Sequence, residues 1–370
     1  MQIMNNYLRA RTSMVYMMTN NEVMNQIIAF YMDMNGMLTF VGSYPTYGRG
    51  TGTKEVSTAT ANDGIDPLAS SQGALTLSRD GRFLLAVNAG SHSISSFIIT
   101  DSGAPVLVDV KPSGGAQPNS VDVFGNLLYV SNVGHAANNF ASNITGFHID
   151  DNGSLTPISG STHSLSTFNA QPAQVLFTPD GSKIVVSELT SNHLSVFHVN
   201  KNGTVTGPIV NDSYGQGPLG AYFLSSGILL VTEAISNALS SYSLSNDGII
   251  HVISGSVPNG YKTACWVVTT RDERFAYTTN TLSGTISTYR IDHNGALSVV
   301  RDITSTPPGT APGLPMDVGV SKDGRHFYTL NGNQGTVSVF NIQDDGSLVR
   351  LQVAGWTNFP YFGSQGLAVL

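Results

Sequence analysis

Charge is scarce in this chain: only 11% of its 370 residues are Asp, Glu, Lys or Arg, and the formal net charge is −7. The 17 basic residues stand singly, so no stripe of them can neutralise a phosphate backbone, and nucleic acid is not an expected partner. Cysteine occurs once, at Cys265, which excludes an internal disulfide and any site built on several thiolates. Long apolar runs are missing too. Segments such as Phe83–Val87 and Ile228–Val231 are strand length and far short of a bilayer span, so the chain reads as soluble with no membrane partner. The nine histidines form no H-x-x-H or H-E-x-x-H spacing, which argues against a transition-metal site. Residues 1–18 contain two arginines but no continuous apolar core ending in a small-residue cleavage site, so no leader is read. The compartment stays open, with the low charge and the many Ser, Thr and Asn residues tipping the expectation slightly toward export.

What the chain has instead is glycine, 39 residues of it, together with abundant Ser, Thr and Asn, a composition that suits short strands joined by tight turns. One module recurs. An apolar strand leads through a turn, often Asp-Gly, to a second apolar strand ending in Asn or Glu, and two further strands follow. It is fullest as GALTLSRDGRFLLAVN from Gly73 and MDVGVSKDGRHFYTLN from Met316. Repetition every roughly 40 to 50 residues with four strands per copy is the signature of a β-propeller. The Asp-Gly and Asn-Gly pairs at Asp80, Asn152, Asp180, Asn202, Asp247, Asn294, Asp323 and Asp345 are read as hairpin turns.

Counting the copies gives an all-β, seven-bladed propeller with four antiparallel strands per blade. Blade one (15–42) begins at its second strand, and SQGLAVL at 364–370 nearly repeats SQGALTL at 71–77, so the C-terminus is expected to complete blade one and close the ring. The other blades span 71–111, 117–159, 171–207, 217–256, 263–303 and 314–354, with an insertion at 43–70. A closed ring leaves no sheet edge demanding a partner, so a monomer is expected.

In this architecture the loop entering the first strand and the loop leaving the second meet at one funnel, where a small-molecule ligand is expected. That places Gln72, Asn119, Gln174 and Gln365 beside the second-strand ends Asn20, Asn88, Asn132, Glu188, Glu233, Asn280 and Asn331, with Arg49 and Lys54 reaching over from the insertion. Amides suit hydrogen bonding to a hydroxylated or carbonyl-bearing ligand, and they serve equally to cap strand ends. Glu188 and Glu233 occupy equivalent sites where other blades place Asn. Two such carboxylates can divide into base and acid, hold Ca²⁺ or Mg²⁺, or accept N–H bonds from their own loops. No other cofactor is expected. His135, just past Asn132, is the histidine best placed to reach the funnel. Cys265 and Trp266 read as packing residues.

The repeated motifs TPDGSKIVVSE and SRDGRFLLAVN, the segment GPLGAYFLSSGILLVTEAISNALSSY and the closing strand resemble the lactonase family of seven-bladed propellers over essentially the whole chain. That family includes propeller-type 6-phosphogluconolactonase and the carboxy-muconate lactonising enzyme. The resemblance implies chemistry on the funnel face by a Pro-His at first-strand entries, an arginine within Gly-Pro-Arg-His, and a Glu at a second-strand end. Only the Glu is matched, as Glu233; Pro-His becomes Pro118-Asn119 and Pro172-Ala173, and Gly-Pro-Arg-His becomes Gly217-Pro218-Leu219-Gly220. Without arginine and histidine a phosphorylated substrate is disfavoured. The expectation is therefore a lactone hydrolase or lactonising enzyme for a small neutral lactone or sugar-derived substrate, with Glu233, Glu188 and His135 as catalytic candidates and Asn119, Asn132, Gln72, Gln174, Gln365, Arg49, Asn280 and Asn331 binding substrate. The alternative is a propeller that binds small molecules or proteins without catalysis.

Overall fold

The computed structural model describes residues 13–52, 71–134, 141–304, 314–332, 334–355 and 363–370. Seven antiparallel sheets are arranged as the blades of a propeller, each with its strands in sequential order from the channel outward. Blade one is the exception that closes the ring: Leu367–Val369 forms its innermost strand and pairs with Met14–Met18, matching Leu367 to Met17 and Val369 to Val15. Blade three is also irregular, since its outer edge is shared by two short strands, Leu155–Pro157 and His163–Ser164.

The second strand of each blade is apolar on both faces because it lies between its own neighbours and the flanking blades. Phe83–Asn88, Leu127–Asn132, Lys183–Glu188, Leu229–Glu233, Phe275–Asn280 and His326–Asn331 are buried at every position. This continuous burial is the propeller's core, and side chains of adjacent blades interdigitate there. Tyrosines on these strands also fasten blade to blade. Tyr16, Tyr129, Tyr277 and Tyr328 are fully buried, and their hydroxyls donate to Gly103 O (2.6 Å), Gly203 O (2.9 Å), Gly346 O (3.0 Å) and Gly36 O (3.1 Å) in the next blade's outer hairpin. The accepting carbonyl is accessible because the turn glycine is left-handed, as at Gly346 (φ 80°), where Asp345-Gly346 was read as a hairpin turn.

First-strand starts oppose second-strand ends: Pro118 pairs with Asn132, Pro172 with Glu188, Pro218 with Glu233, Ala264 with Asn280 and Pro315 with Asn331. These ends share one face, here the loop face. The Asp-Gly turns joining first to second strands occupy the opposite turn face. One expected rim position shifts by a residue. Thr19, whose N–H donates to Gln26 O, is in register with the other strand ends, and Asn20 lies beyond it in a left-handed turn (φ 49°).

Candidate functional site

The loop-face residues are built into the ring. Glu233 is fully buried, and its carboxylate accepts from Gly215 N (2.8 Å), Tyr242 OH (3.3 Å) and the hydroxyls of Ser240 and Ser256. Glu188 is equally buried and accepts from Ser166 N (3.2 Å), Ser191 Oγ (2.6 Å), Ser195 Oγ (2.5 Å) and Ser166 Oγ. Each carboxylate is therefore satisfied by main-chain and hydroxyl donors, most of them on the outer strands and loops of its own blade, rather than presented to the channel. Of the alternatives open for Glu188 and Glu233 in the sequence, the arrangement seen is acceptance of hydrogen bonds from their own loops and outer strands, with the serine seven residues on drawing each side chain outward. No cluster of His, Cys, Asp or Glu suited to holding a metal ion occurs among the described residues.

The amides behave similarly. Asn280 donates to Thr285 Oγ1 (2.9 Å) and Ser287 Oγ (2.8 Å) and accepts from Asn259 (2.6 Å), while Asn331 donates to Thr336 Oγ1 (3.0 Å) and Ser338 Oγ (2.8 Å). Asn132 donates to Asn143 Oδ1 (2.9 Å) and Ser113 O (3.3 Å). The Oδ1 atoms of Asn132 and Asn331 are buried without a partner among the described residues. Asn119 joins three blades, donating to Ser71 Oγ (2.8 Å) and Pro172 O (2.6 Å) and accepting from Ser131 Oγ (2.8 Å). Gln365 is buried, with its main-chain N–H on Met18 O (3.0 Å). Arg49 is exposed and turns to the neighbouring loop, donating to Gly90 O at 3.2 Å. His135 and Lys54 lie outside the described residues, as does most of the insertion.

Gln72 does something different. Its Nε2 donates to Val267 O (2.7 Å) and its Oε1 accepts from Val267 N (3.0 Å), so a side chain entering blade two pairs with the inner strand of blade six on the far side of the ring. The amide acts as a crossbar. Beyond it lies a channel cavity of about 420 Å³, lined by inner-strand residues including Gln72, Asp122, Gln174, Phe177, Asp317 and Leu367.

Two carboxyls in that cavity were missed by sequence reasoning. Asp122 is half-buried; its Oδ2 accepts from Phe177 N (2.7 Å) in the next blade and its Oδ1 from Val123 N (2.8 Å). Burial pushes it up to about 6, against the pull of those two N–H groups and of Arg79. Asp317 is 2% exposed and accepts from Leu367 N (2.8 Å), clipping blade seven to the closing strand, and from Val318 N (2.8 Å). Burial pushes it up to about 8. Gln174 lies in the same cavity with its Oε1 on Ala221 N (2.5 Å). Cys265 is buried and its thiol is pushed up to about 12 by burial, so it holds no thiolate near neutral pH.

The profile of a family described as "Lactonase, 7-bladed beta-propeller" matches residues 7–159 and 266–360. The chain belongs to the lactonase family. It is 22% identical over 278 residues, 72% of this chain and 78% of the other, to a 6-phosphogluconolactonase of Serratia proteamaculans. Among solved structures it resembles the periplasmic gluconolactonase of Pseudomonas aeruginosa, with 18% identity, a TM-score of 0.72, and coverage of 97% of this chain and 99% of that one. It also resembles a putative 6-phosphogluconolactonase of Bacteroides uniformis, with 17% identity, a TM-score of 0.73, and coverage of 97% and 99%. At such identities the structural likeness carries the fold alone. The profile's two matched stretches leave out blades four and five, the blades that hold Glu188 and Glu233, and include Asp122 and Asp317. Within this lactonase-family propeller, the loop-face segments 118–119 and 217–220 carry neither arginine nor histidine.

Proposed function

We propose that this lactonase-family propeller hydrolyses or closes a small neutral lactone in the channel cavity, with Asp122 as general base and the Gln174 side-chain amide as donor to the carbonyl oxygen. The observation that carries the reading is Asp122 itself: a half-buried carboxyl in a cavity of small-ligand size, held near 6, where it is ionised at neutral pH yet basic enough to take a proton. In hydrolysis the carboxylate removes a proton from water as the water oxygen bonds to the acyl carbon, and the carbonyl electron pair moves onto oxygen. Collapse then expels the ring oxygen, which recovers the proton from Asp122. Lactonisation is the reverse. Gln174 suits the donor role because its Oε1 is fixed on Ala221 N, which orients the remaining Nε2 hydrogens. A neutral substrate is proposed from the lack of arginine and histidine at 118–119 and 217–220, Arg79 being the one basic residue among those that line the cavity.

A second reading, binding without catalysis, is favoured by the two buried glutamates and by the amides that hold blades together. Neutral sugar and aromatic lactones, with a phosphorylated lactone for contrast, assayed with wild type, Asp122→Asn and Glu233→Gln decide between them. The catalytic reading expects kcat to fall about 100-fold or more in Asp122→Asn, and wild-type kcat to rise through pH 6. Turnover of no lactone leaves the binding reading, whereas activity undiminished in Asp122→Asn removes Asp122 as the base.

A further inference from the structure

The turn face carries a concentration of positive charge that the dilute charge of the chain makes conspicuous. A basin of about 1220 Å³ opens there, lined by five basic side chains, Arg79, Arg82, Arg271, Lys322 and Arg325, and by the carboxylates Asp33, Asp80 and Asp323. It shares Leu77, Arg79 and Val369 with the channel cavity, so it is the cavity's mouth on this face. The cations come from the turns SRDGR, TRDER and SKDGR of blades two, six and seven; blades two and seven flank blade one, whose first and second strands come from opposite ends of the chain.

The lining carboxylates are already engaged. Asp80 Oδ1 accepts from Ser78 Oγ (2.6 Å) and Arg82 N (3.0 Å), Asp33 Oδ1 from Asn35 N (2.8 Å) and Met37 N (2.9 Å), and Asp323 Oδ1 from Ser321 Oγ (2.6 Å) and Arg325 N (3.1 Å). Asp323 also pairs with Arg325 at 2.9 Å. The residue preceding each turn aspartate is left without an acidic contact. Arg79 donates to Pro179 O (2.8 Å) and Thr178 O (3.2 Å) and lies 4.5 Å over the Phe124 ring, and Arg271 donates to Lys322 O. Among the described residues neither of these guanidiniums, nor the Lys322 ammonium, forms an ion pair. Main-chain carbonyls thus fix two guanidiniums in place without an ion pair among the described residues, although Arg79 also acts on the Asp122 carboxyl across the channel cavity, and a third cation stands beside them. Fixed, exposed cations converging from three blades are matched by an anion with more than one charged group.

We propose that the turn-face mouth of the channel binds a small organic or inorganic anion bearing two or more negative charges, held by Arg79, Arg271 and Lys322. The site is distinct from the loop-face positions that the family resemblance points to, and it does not depend on the channel being catalytic.

The test reads binding, not turnover. Pyrophosphate and citrate are titrated by calorimetry into wild type, Arg271→Gln/Lys322→Gln and the loop-face control Lys262→Gln, with sodium chloride matched in ionic strength and glucose as a neutral control. The expected result is binding of at least one of the two anions by wild type and control, weakened about fivefold or more in the double variant. Thermal melts without ligand show whether that variant is folded. If Arg271→Gln disturbs the blade contact, Lys322→Gln alone, whose ammonium makes no hydrogen bond among the described residues, serves with the same threshold. No binding of either anion, weakening below that threshold, or an effect reproduced by sodium chloride overturns the proposal.

Discussion

Glu233 and Ser240 are seven residues apart, and the hydroxyl of the serine donates to the carboxylate at the end of the second strand of blade five. The same spacing recurs as Asn88 with Ser95 (2.8 Å), Glu188 with Ser195 (2.5 Å), Asn280 with Ser287 (2.8 Å) and Asn331 with Ser338 (2.8 Å). A second strand that leaves through a short turn returns as the third strand with residue i+7 inside it. A hydrogen-bonding side chain at position i therefore meets a serine there. Glutamate replaces asparagine in two blades without leaving this arrangement, and its second oxygen is taken up by further donors, Ser256 in one blade and Ser166 and Ser191 in the other.

Glu233 is accordingly expected to matter for stability before it matters for chemistry. Replacing it with alanine strands Gly215 N and several hydroxyls in a buried site, at a cost of about 3 kcal/mol, whereas Glu233→Gln retains part of the acceptor capacity and costs about 1 to 2 kcal/mol. Urea denaturation of both variants checks this. A Glu233→Gln protein as stable as wild type but devoid of lactone turnover would restore the glutamate as a catalytic group.

The Gln72 crossbar makes two hydrogen bonds to one residue across the ring. Gln72→Ala removes both and leaves the inner-strand N–H and C=O of Val267 facing the channel, so it is expected to cost about 1 to 2 kcal/mol, with part of the loss recovered if water replaces the amide. Gln72→Glu keeps an acceptor for Val267 N but sets an anion against Val267 O, and is expected to be the less stable of the two above pH 6. No loss in either would mean that the crossbar contributes nothing to ring closure, and an inverted order that water or a proton relieves the anion against Val267 O.

The fold was legible because its signals are local and repeat. Asp-Gly turns, strand-length apolar runs and the echo of SQGALTL in SQGLAVL each need only a few neighbouring residues to be read, and seven copies correct one another. One slip, Asn20 in place of Thr19, falls in the blade whose first strand arrives from the other end of the chain. The site was less legible because side-chain direction at a strand end is decided by partners outside the strand. Glu188 and Glu233 stood out in sequence by being unlike the asparagines of other blades, yet they do the same work. Gln72 read as one rim amide among several, since its partner is 195 residues away in sequence. Asp122 and Asp317 did carry a signal, a carboxylate inside the apolar inner strands SVDVF and MDVGV, where corresponding positions in other blades hold residues such as Leu176 and Trp266. A charge within a strand that lines a channel is a stronger pointer to a ligand than one at its end.

Asp317 gives the clearest dependence on pH. Its ordinary value is 3.8 and burial raises it to about 8 in the folded protein, so between those values the folded chain holds a proton that the unfolded chain has released. Stability contributed by this group is thus greatest below pH 4 and is lost as pH rises toward 8, with a limiting slope of about 1.4 kcal/mol per pH unit. Asp317→Asn cannot ionise. It keeps one acceptor for the N–H groups of Val318 and Leu367 and loses the other, so at pH 4 it is expected to be less stable than wild type by about 1 kcal/mol. Between pH 4 and pH 8.5 the difference should move steadily in favour of the variant by about 2 to 4 kcal/mol, reversing the order of stability. Asp122 titrates in part of the same range but is present in both proteins, so its contribution cancels in the difference. Guanidinium melts of the two proteins at half-unit pH steps measure the curve. A difference that stays flat across the range would mean that Asp317 is ionised in the folded ring and that the N–H groups of Val318 and Leu367 outweigh its burial.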